Sequence, residues 1–343
     1  MRCIKERGLT LAEPLRVMAT RARKEEDFGG EACVEVCETC GPMFDGLDVV
    51  FFAGREGAKG ASVQWREAVQ HAGAIGIDNG SDFRLDPDVP LVVPEVNMDA
   101  VTENTKFIAS PNCSTIQMVV ALAPLHRAVG IKRIVVSTYQ AVSGWGQAAV
   151  EEMERQLPQY CAGDCPDFDP SVFSRPIALD CIPHIDRFTE SGYTKEELKI
   201  RNETRKILGV PEMKITATAV RVPVAIGHSE AINIELEKPL TAAEALDILR
   251  DPALSPGVVV VDGPACDPNA TECRKAPEER QYPTQRDILQ DEWKDMVLVG
   301  RVREDDTIEN GLNLWVVADN LRKGAATNVV QIAQKMIERG LLG

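Results

Sequence analysis

The sequence predicts an α/β protein in two parts, a doubly wound parallel-sheet domain and an α+β domain on a mainly antiparallel sheet. Two observations carry this. Between residues 15 and 96, short apolar runs alternate with helix-period stretches over short turns, as parallel strands with crossover helices do. Beyond residue 214, β-branched runs follow one another with few helices between them, the mark of an antiparallel sheet.

Taken in order, residues 1–13 read as part of a short helix and 15–19 as a strand. Residues 32–36, 49–53, 74–78 and 91–96 read as further strands, with 61–72 as a helix. The apolar run at 107–109 breaks at Pro111, after which a helical pattern restarts and continues through 117–129. Residues 132–142 form a long β-branched run, and 214–224, 231–237, 258–261, 296–303 and 312–318 read as strands. Residues 323–341 close the chain as an amphipathic helix, and the polar, proline-containing stretches 162–174 and 263–287 read as loops.

A length of 343 residues suits two domains, and 44 % hydrophobic with 27 % charged residues is ordinary for a globular chain. The net charge of -15 argues against nucleic acid and anionic membranes, which require a basic face. An anionic substrate must then be held by a few local arginines or lysines. There is no apolar run of bilayer length and no signal-peptide core, so an intracellular, cytoplasmic protein is expected. The basic residues before Lys24 superficially resemble a transit peptide but read better as folded chain. Ten cysteines lack the spacing of a disulfide framework. Cys33, Cys37 and Cys40 have the spacing of a cluster-binding triad, but residues 32–36 read as a strand, whereas cluster ligation needs a loop. No metal site is expected. Cys161 with Cys165, and Cys266 with Cys273, could pair locally or stay free.

Cys113 falls where the end of a strand meets the first turn of a helix. The positive end of a helix favours an anion, and so favours a thiolate over a thiol. The plainer alternative is a cysteine serving as a small buried hydrophobe. Two glycine patterns, Gly54-x-x-Gly57-x-x-Gly60 and Gly144-x-Gly146-x-x-Ala149, each follow a predicted strand and precede a helix, the setting of a dinucleotide turn. A loop that merely needs small residues explains them equally well.

The stretch Ser110-Pro111-Asn112-Cys113-Ser114-Thr115-Ile116-Gln117, with Ser137-Thr138-Tyr139-Gln140-Ala141-Val142-Ser143-Gly144, resembles bacterial-type aspartate-β-semialdehyde dehydrogenases. So do Arg221-Val222-Pro223-Val224, Gly227-His228-Ser229-Glu230 and Ala318-Asp319-Asn320-Leu321-Arg322-Lys323-Gly324, in register from near residue 4 to the C-terminus. The resemblance implies NADP-dependent interconversion of aspartate semialdehyde plus phosphate with aspartyl phosphate, through a cysteine thioester. It implies that Cys113 is the nucleophile, His228 the general acid and base, and that Gln140 and Asn112 position substrate and cysteine. Arg84 and Lys199 are implied as phosphate contacts, Arg221 as the grip on the substrate carboxylate, and Glu196 as the partner of its amine. Ser143, Gly144 and Asn320 are implied as cofactor contacts. A Rossmann-like domain over residues 1–112 and 320–343, a catalytic and dimerisation domain over 113–319, and a homodimer or homotetramer are also implied.

Family members open with a buried strand and a glycine-rich turn. Ile4-Lys5-Glu6-Arg7-Gly8 aligns with the end of the helix after that turn, so the first strand is expected to be missing. The pattern for the 2′-phosphate becomes Thr20-Arg21-Ala22-Arg23, and a serine-flanked turn becomes Phe52-Ala53-Gly54-Arg55-Glu56. The alternative function is therefore a non-catalytic or cofactor-impaired, truncated paralogue of that family acting as an assembly or regulatory subunit. The related N-acetyl-glutamyl-phosphate reductases have a glycine and a tyrosine where Asn112 and Ser114 stand here, and are set aside.

Overall fold

The computed structural model describes residues 1–19, 23–28, 31–54, 60–263 and 282–342, with 23–28 and 31–36 as backbone only. The 2′-phosphate pattern at residues 20–22, the turn at 55–59 with Gly57, most of the 263–287 loop, Cys266 and Cys273 lie outside the described residues, as does the side chain of Cys33. The chain divides into two compact units, Met1–Pro111 with Ala326–Gly343, and Asn112–Ala325.

In the first unit, β4 (Val49–Phe52), β5 (Ile75–Asp78) and β6 (Phe107–Ala109) form a parallel sheet in that order. Helix α2 (Ala61–His71) is the crossover from β4 to β5. Every residue of β5 and β6 is buried, as a strand covered on both faces requires. A second sheet pairs β3 (Glu31–Glu38) in parallel with β1 (Val17–Ala19) and antiparallel with β2 (Arg23–Phe28). The charged run of β2 gave no apolar alternation to mark it as a strand. Helix α1 (Arg2–Glu6) is shorter than residues 1–13 suggested, because Gly8 turns the chain at a φ of 65°.

The strand expected at 91–96 is not formed. Leu91 makes a single bridge to Ala109, and Pro94 opens a one-turn helix, α3 (Pro94–Asn97). Pro94 sits at the start of that helix, where its missing N–H costs nothing. The closing segment likewise is not one regular helix: a π-helical turn (Arg322–Ala326) precedes α8 (Thr327–Glu338). Val329, Ile332, Ala333 and Met336 of α8 form a core with Ile75, Ile77, Val92, Met98, Val101 and Ile108.

The second unit begins with α4 (Cys113–Val129) and is built on a six-stranded mixed sheet. Its strands are β7 (Ile131–Gln140), β8 (Lys214–Arg221), β9 (His228–Leu236), β10 (Val258–Val260), β11 (Val297–Asp305) and β12 (Gly311–Ala318). The order is β10-β11-β12-β9-β7-β8; the pairs β10–β11 and β7–β8 are parallel and the other three antiparallel. Alternation along β7 and β9 gives one fully buried face, which α4 covers. Helix α5 (Gln147–Cys161) follows the turn after β7, and α7 (Ala242–Arg250) packs on β10 and β11. Helix α6 (Lys195–Leu208) is started by a capping box between Thr194 and Glu197 and stopped by Gly209 at a φ of 70°.

Replacing Ile108, fully buried at the centre of β6, with alanine is expected to cost about 2–5 kcal/mol. Urea unfolding of the variant measures it, and an unchanged midpoint would contradict the core described.

Candidate active site

Cys113 is the first residue of α4, and Asn112 is its N-cap. The Asn112 side-chain oxygen accepts from the N–H groups of Ser114 (3.0 Å) and Thr115 (3.3 Å), which consumes two of the helix's unpaired donors. Its amide nitrogen donates to Glu196 Oε1 at 2.8 Å, while its backbone N–H donates to Glu203 Oε2 at 2.6 Å. The turn that carries Cys113 is thus tied to α6 by two carboxylates.

Glu196 is buried and accepts a second bond, from Gln140 Nε2 at 3.2 Å; the same nitrogen donates to Ser114 Oγ at 2.7 Å. Lys199, one turn along α6, donates to Asp186 at 3.0 Å and lies 3.6 Å from Glu196 Oε2. Burial pushes the Asp186 carboxyl up, but the Arg187 backbone N–H and the Lys199 ammonium together outweigh it and hold the carboxyl below its usual range.

Arg221, at the end of β8, is 4 % exposed and donates from Nη1 to the Ala141 carbonyl at 2.7 Å. Burial lowers its pKa, and the nearby Glu196 and Cys113 oppose that shift. His228, the first residue of β9, is fully buried. Its pKa is pushed well below the ordinary imidazole value, chiefly by burial and then by Arg221. The Ala141 N–H donates to Nδ1 at 3.0 Å, which selects the neutral tautomer with its proton on Nε2. Among the described residues Nε2 has no partner.

The cofactor residues implied by the sequence lie in this unit as well. Asn320 donates to Ser143 Oγ at 3.1 Å and accepts from the Gly227 N–H at 2.9 Å, joining the turn after β7 to the entry of β9. A Cβ on Gly144 would lie 2.9 Å from Arg221 Nη1 and 3.3 Å from His228 Nε2, so only glycine leaves those two groups in place. Arg84 belongs to the other unit, where it donates to the carbonyls of Gly80 (3.0 Å) and Asn79 (2.9 Å) just past β5.

The structure brings Asn112, Cys113, Gln140, Glu196, Lys199, Arg221 and His228 into one constellation within the second unit. Residue-by-residue reading missed Glu203, Ser114, Asp186 and Gly324. Glu203 was findable, since it is seven residues after Glu196 and repeats the same helical face. Gly324 had no local signal: a Cβ there would lie 2.8 Å from Cys113 Cβ, a contact between residues more than two hundred apart. Among the described residues no His, Cys, Asp or Glu group could hold a metal, and Cys37, Cys40, Cys161 and Cys165 are free thiols.

With this geometry in view, the comparisons decide the family. The semialdehyde dehydrogenase NAD binding domain family matches residues 18–104, and the semialdehyde dehydrogenase dimerisation domain family matches residues 122–323. Aspartate-semialdehyde dehydrogenase of Aquifex aeolicus is 46 % identical over 302 residues, covering 87 % of this chain and 82 % of that one. The chain belongs to the aspartate-semialdehyde dehydrogenase family. The crystal structure of aspartate semialdehyde dehydrogenase II complexed with ASA from Vibrio cholerae superposes with a TM-score of 0.83 at 40 % identity, covering 98 % of this chain and 93 % of that one. A Candida albicans aspartate semialdehyde dehydrogenase solved with NADP superposes at 0.61 with 25 % identity, covering 86 % and 78 %. Membership of this enzyme family brings a coenzyme-binding domain and a dimerisation domain. No helix of the described residues is long and apolar enough to cross a membrane.

Gly324→Ala is expected to displace the thiol and slow alkylation of Cys113 by iodoacetamide about tenfold or more, while an unchanged rate would show that the contact yields freely. His228 is neutral when folded but ordinary when unfolded, so below about pH 6.5 only the unfolded chain takes up its proton and stability falls. Urea unfolding at pH 7 and pH 5 should therefore show the wild type losing more than His228→Asn, by up to about 1.4 kcal/mol per pH unit; equal losses would contradict a buried neutral imidazole.

Proposed function

We propose that the protein is an NADP-dependent, phosphorylating aspartate-semialdehyde dehydrogenase interconverting aspartate semialdehyde plus phosphate with aspartyl phosphate. One observation carries the reading: a cysteine at a capped helix start shares a buried network with a neutral histidine, a buried arginine, and a glutamate beside a lysine. The Cys113 thiolate adds to the aldehyde carbon, giving a tetrahedral hemithioacetal. The oxyanion that forms meets the His228 Nε2–H, a donor already aimed by the Ala141 N–H. A nicotinamide held by Ser143, Gly144 and Asn320 would supply the hydride acceptor that the change from this adduct to a thioester requires. Phosphate then attacks the thioester carbon, the C–S bond breaks, and Cys113 leaves as thiolate with acyl phosphate as product.

Arg221 is assigned to the substrate carboxylate, Glu196 to its amine, and Lys199 and Arg84 to phosphate. Asn112 and Gln140 hold the cysteine's turn and Glu196 in place. Ser143, Gly144 and Asn320 are assigned to the nicotinamide end of the cofactor. The first unit also fits an anionic cofactor. Helix α2 has no capping side chain and no acid in its first turn, leaving backbone N–H groups for a phosphate. Residues 1–111 and 326–343 are accordingly assigned to the cofactor, and 112–325 to catalysis and pairing. The enzyme is placed in the cytoplasm as a homodimer or homotetramer.

The test is cofactor reduction on mixing the purified chain with aspartate semialdehyde, phosphate and NADP. Activity should appear with wild type, vanish with Cys113→Ala, and fall about 10²–10⁴-fold with His228→Asn. Full activity in Cys113→Ala would exclude the thioester route.

A further inference from the structure

Glu230 is fully buried two residues along β9 from His228, on the sheet face that α4 covers. Its ladder partners are Thr138 on β7 and Val316 on β12. Gln117, one turn along α4 from Cys113, lies beside it. Directly paired side chains in an antiparallel ladder have Cβ atoms about 4.5–5.5 Å apart. The Thr138 hydroxyl, the Glu230 carboxyl and the Gln117 amide therefore share one small space beneath the nucleophile's helix.

Both Glu230 oxygens, Gln117 Nε2 and Thr138 Oγ1 are buried without a hydrogen bond of good geometry among the described residues, although the Gln117 amide lies close enough to Glu230 to favour its ionised form against burial. Each such buried group left without a partner costs about 1–3 kcal/mol. Burial raises the Glu230 carboxyl well above the usual range, so it is a neutral acid, able to donate and accept at once. An amide donor, a hydroxyl and a carboxylic acid are the partners an internal water needs.

We propose that Glu230, Gln117 and Thr138 form a buried polar clamp, closed by ordered internal water, that fixes the helix carrying Cys113 against the strands carrying Gln140 and His228. An apolar contact tolerates sliding, whereas directional bonds hold one register. Glu230 is a positioning residue: it acts through α4 and β9. The proposal deepens the reading of Cys113 as nucleophile and rests on it.

The experiment compares Glu230→Met, similar in length and apolar, with Glu230→Gln, which keeps donor and acceptor. Alkylation is read at the Cys113 peptide without substrate, so the clamp and the reaction can fail separately. Glu230→Met is expected to keep the wild-type fold but to melt at a lower temperature, since buried Gln117 and Thr138 lose their shared partner. It should also alkylate about tenfold more slowly, with Glu230→Gln restoring the wild-type rate. A wild-type rate in Glu230→Met overturns the clamp, as does an equal loss in both variants. Should Glu230→Met fail to fold, Thr138→Val removes one hydroxyl at constant shape; slower alkylation supports the clamp and an unchanged rate overturns it.

Discussion

The side chain of Asn112 is the interaction on which the candidate site depends. Its oxygen caps α4 and its nitrogen reaches Glu196, so one amide both starts the helix that carries Cys113 and fixes that start against α6. The backbone N–H of the same residue is held by Glu203. Without these bonds the first turn would fray, as uncapped helix ends do, and the thiol would lose both its place and the positive helix end beside it.

The carboxylate of Glu196 gathers the rest. Two side-chain amides donate to it, and a lysine and a buried arginine face it. A charge this deeply buried is tolerated only when so partnered. Removing one partner would leave the others costly, which couples the four elements α4, α6, β7 and β8 into one polar unit. Folding has therefore already oriented the dipoles that a developing charge would meet. The closeness of Gly144 to Arg221 and His228, and of Gly324 to Cys113, belongs to the same design: the backbone comes in where no side chain fits.

Much of this was legible along the chain where local chemistry decides the outcome. The β-branched runs that become β7 and β9 and the position of Cys113 at a helix start follow from short-range patterns, and the Thr194-to-Glu197 capping box is a local signal of the same kind that the reading passed over. Reading failed where tertiary context overrode it. Residues 91–96 carry strand-like composition, yet Pro94 and a single bridge to Ala109 turn them into a helical turn. The charged β2 is a strand only because β3 supplies its hydrogen-bond partners.

By itself the sequence determined the two-part α/β architecture, the position of Cys113 at a helix start and, through matching motifs spread over the chain, the family. Only the tertiary structure decided that Glu203 and Gly324 flank the turn of Cys113, that His228 is neutral with its proton on Nε2, and that Glu230 lies buried beside Gln117 beneath α4. The reason is physical. Helix starts and strand alternation depend on neighbours a few residues away, whereas burial, tautomer and close approach depend on atoms that the chain brings together, here across 87 residues or more.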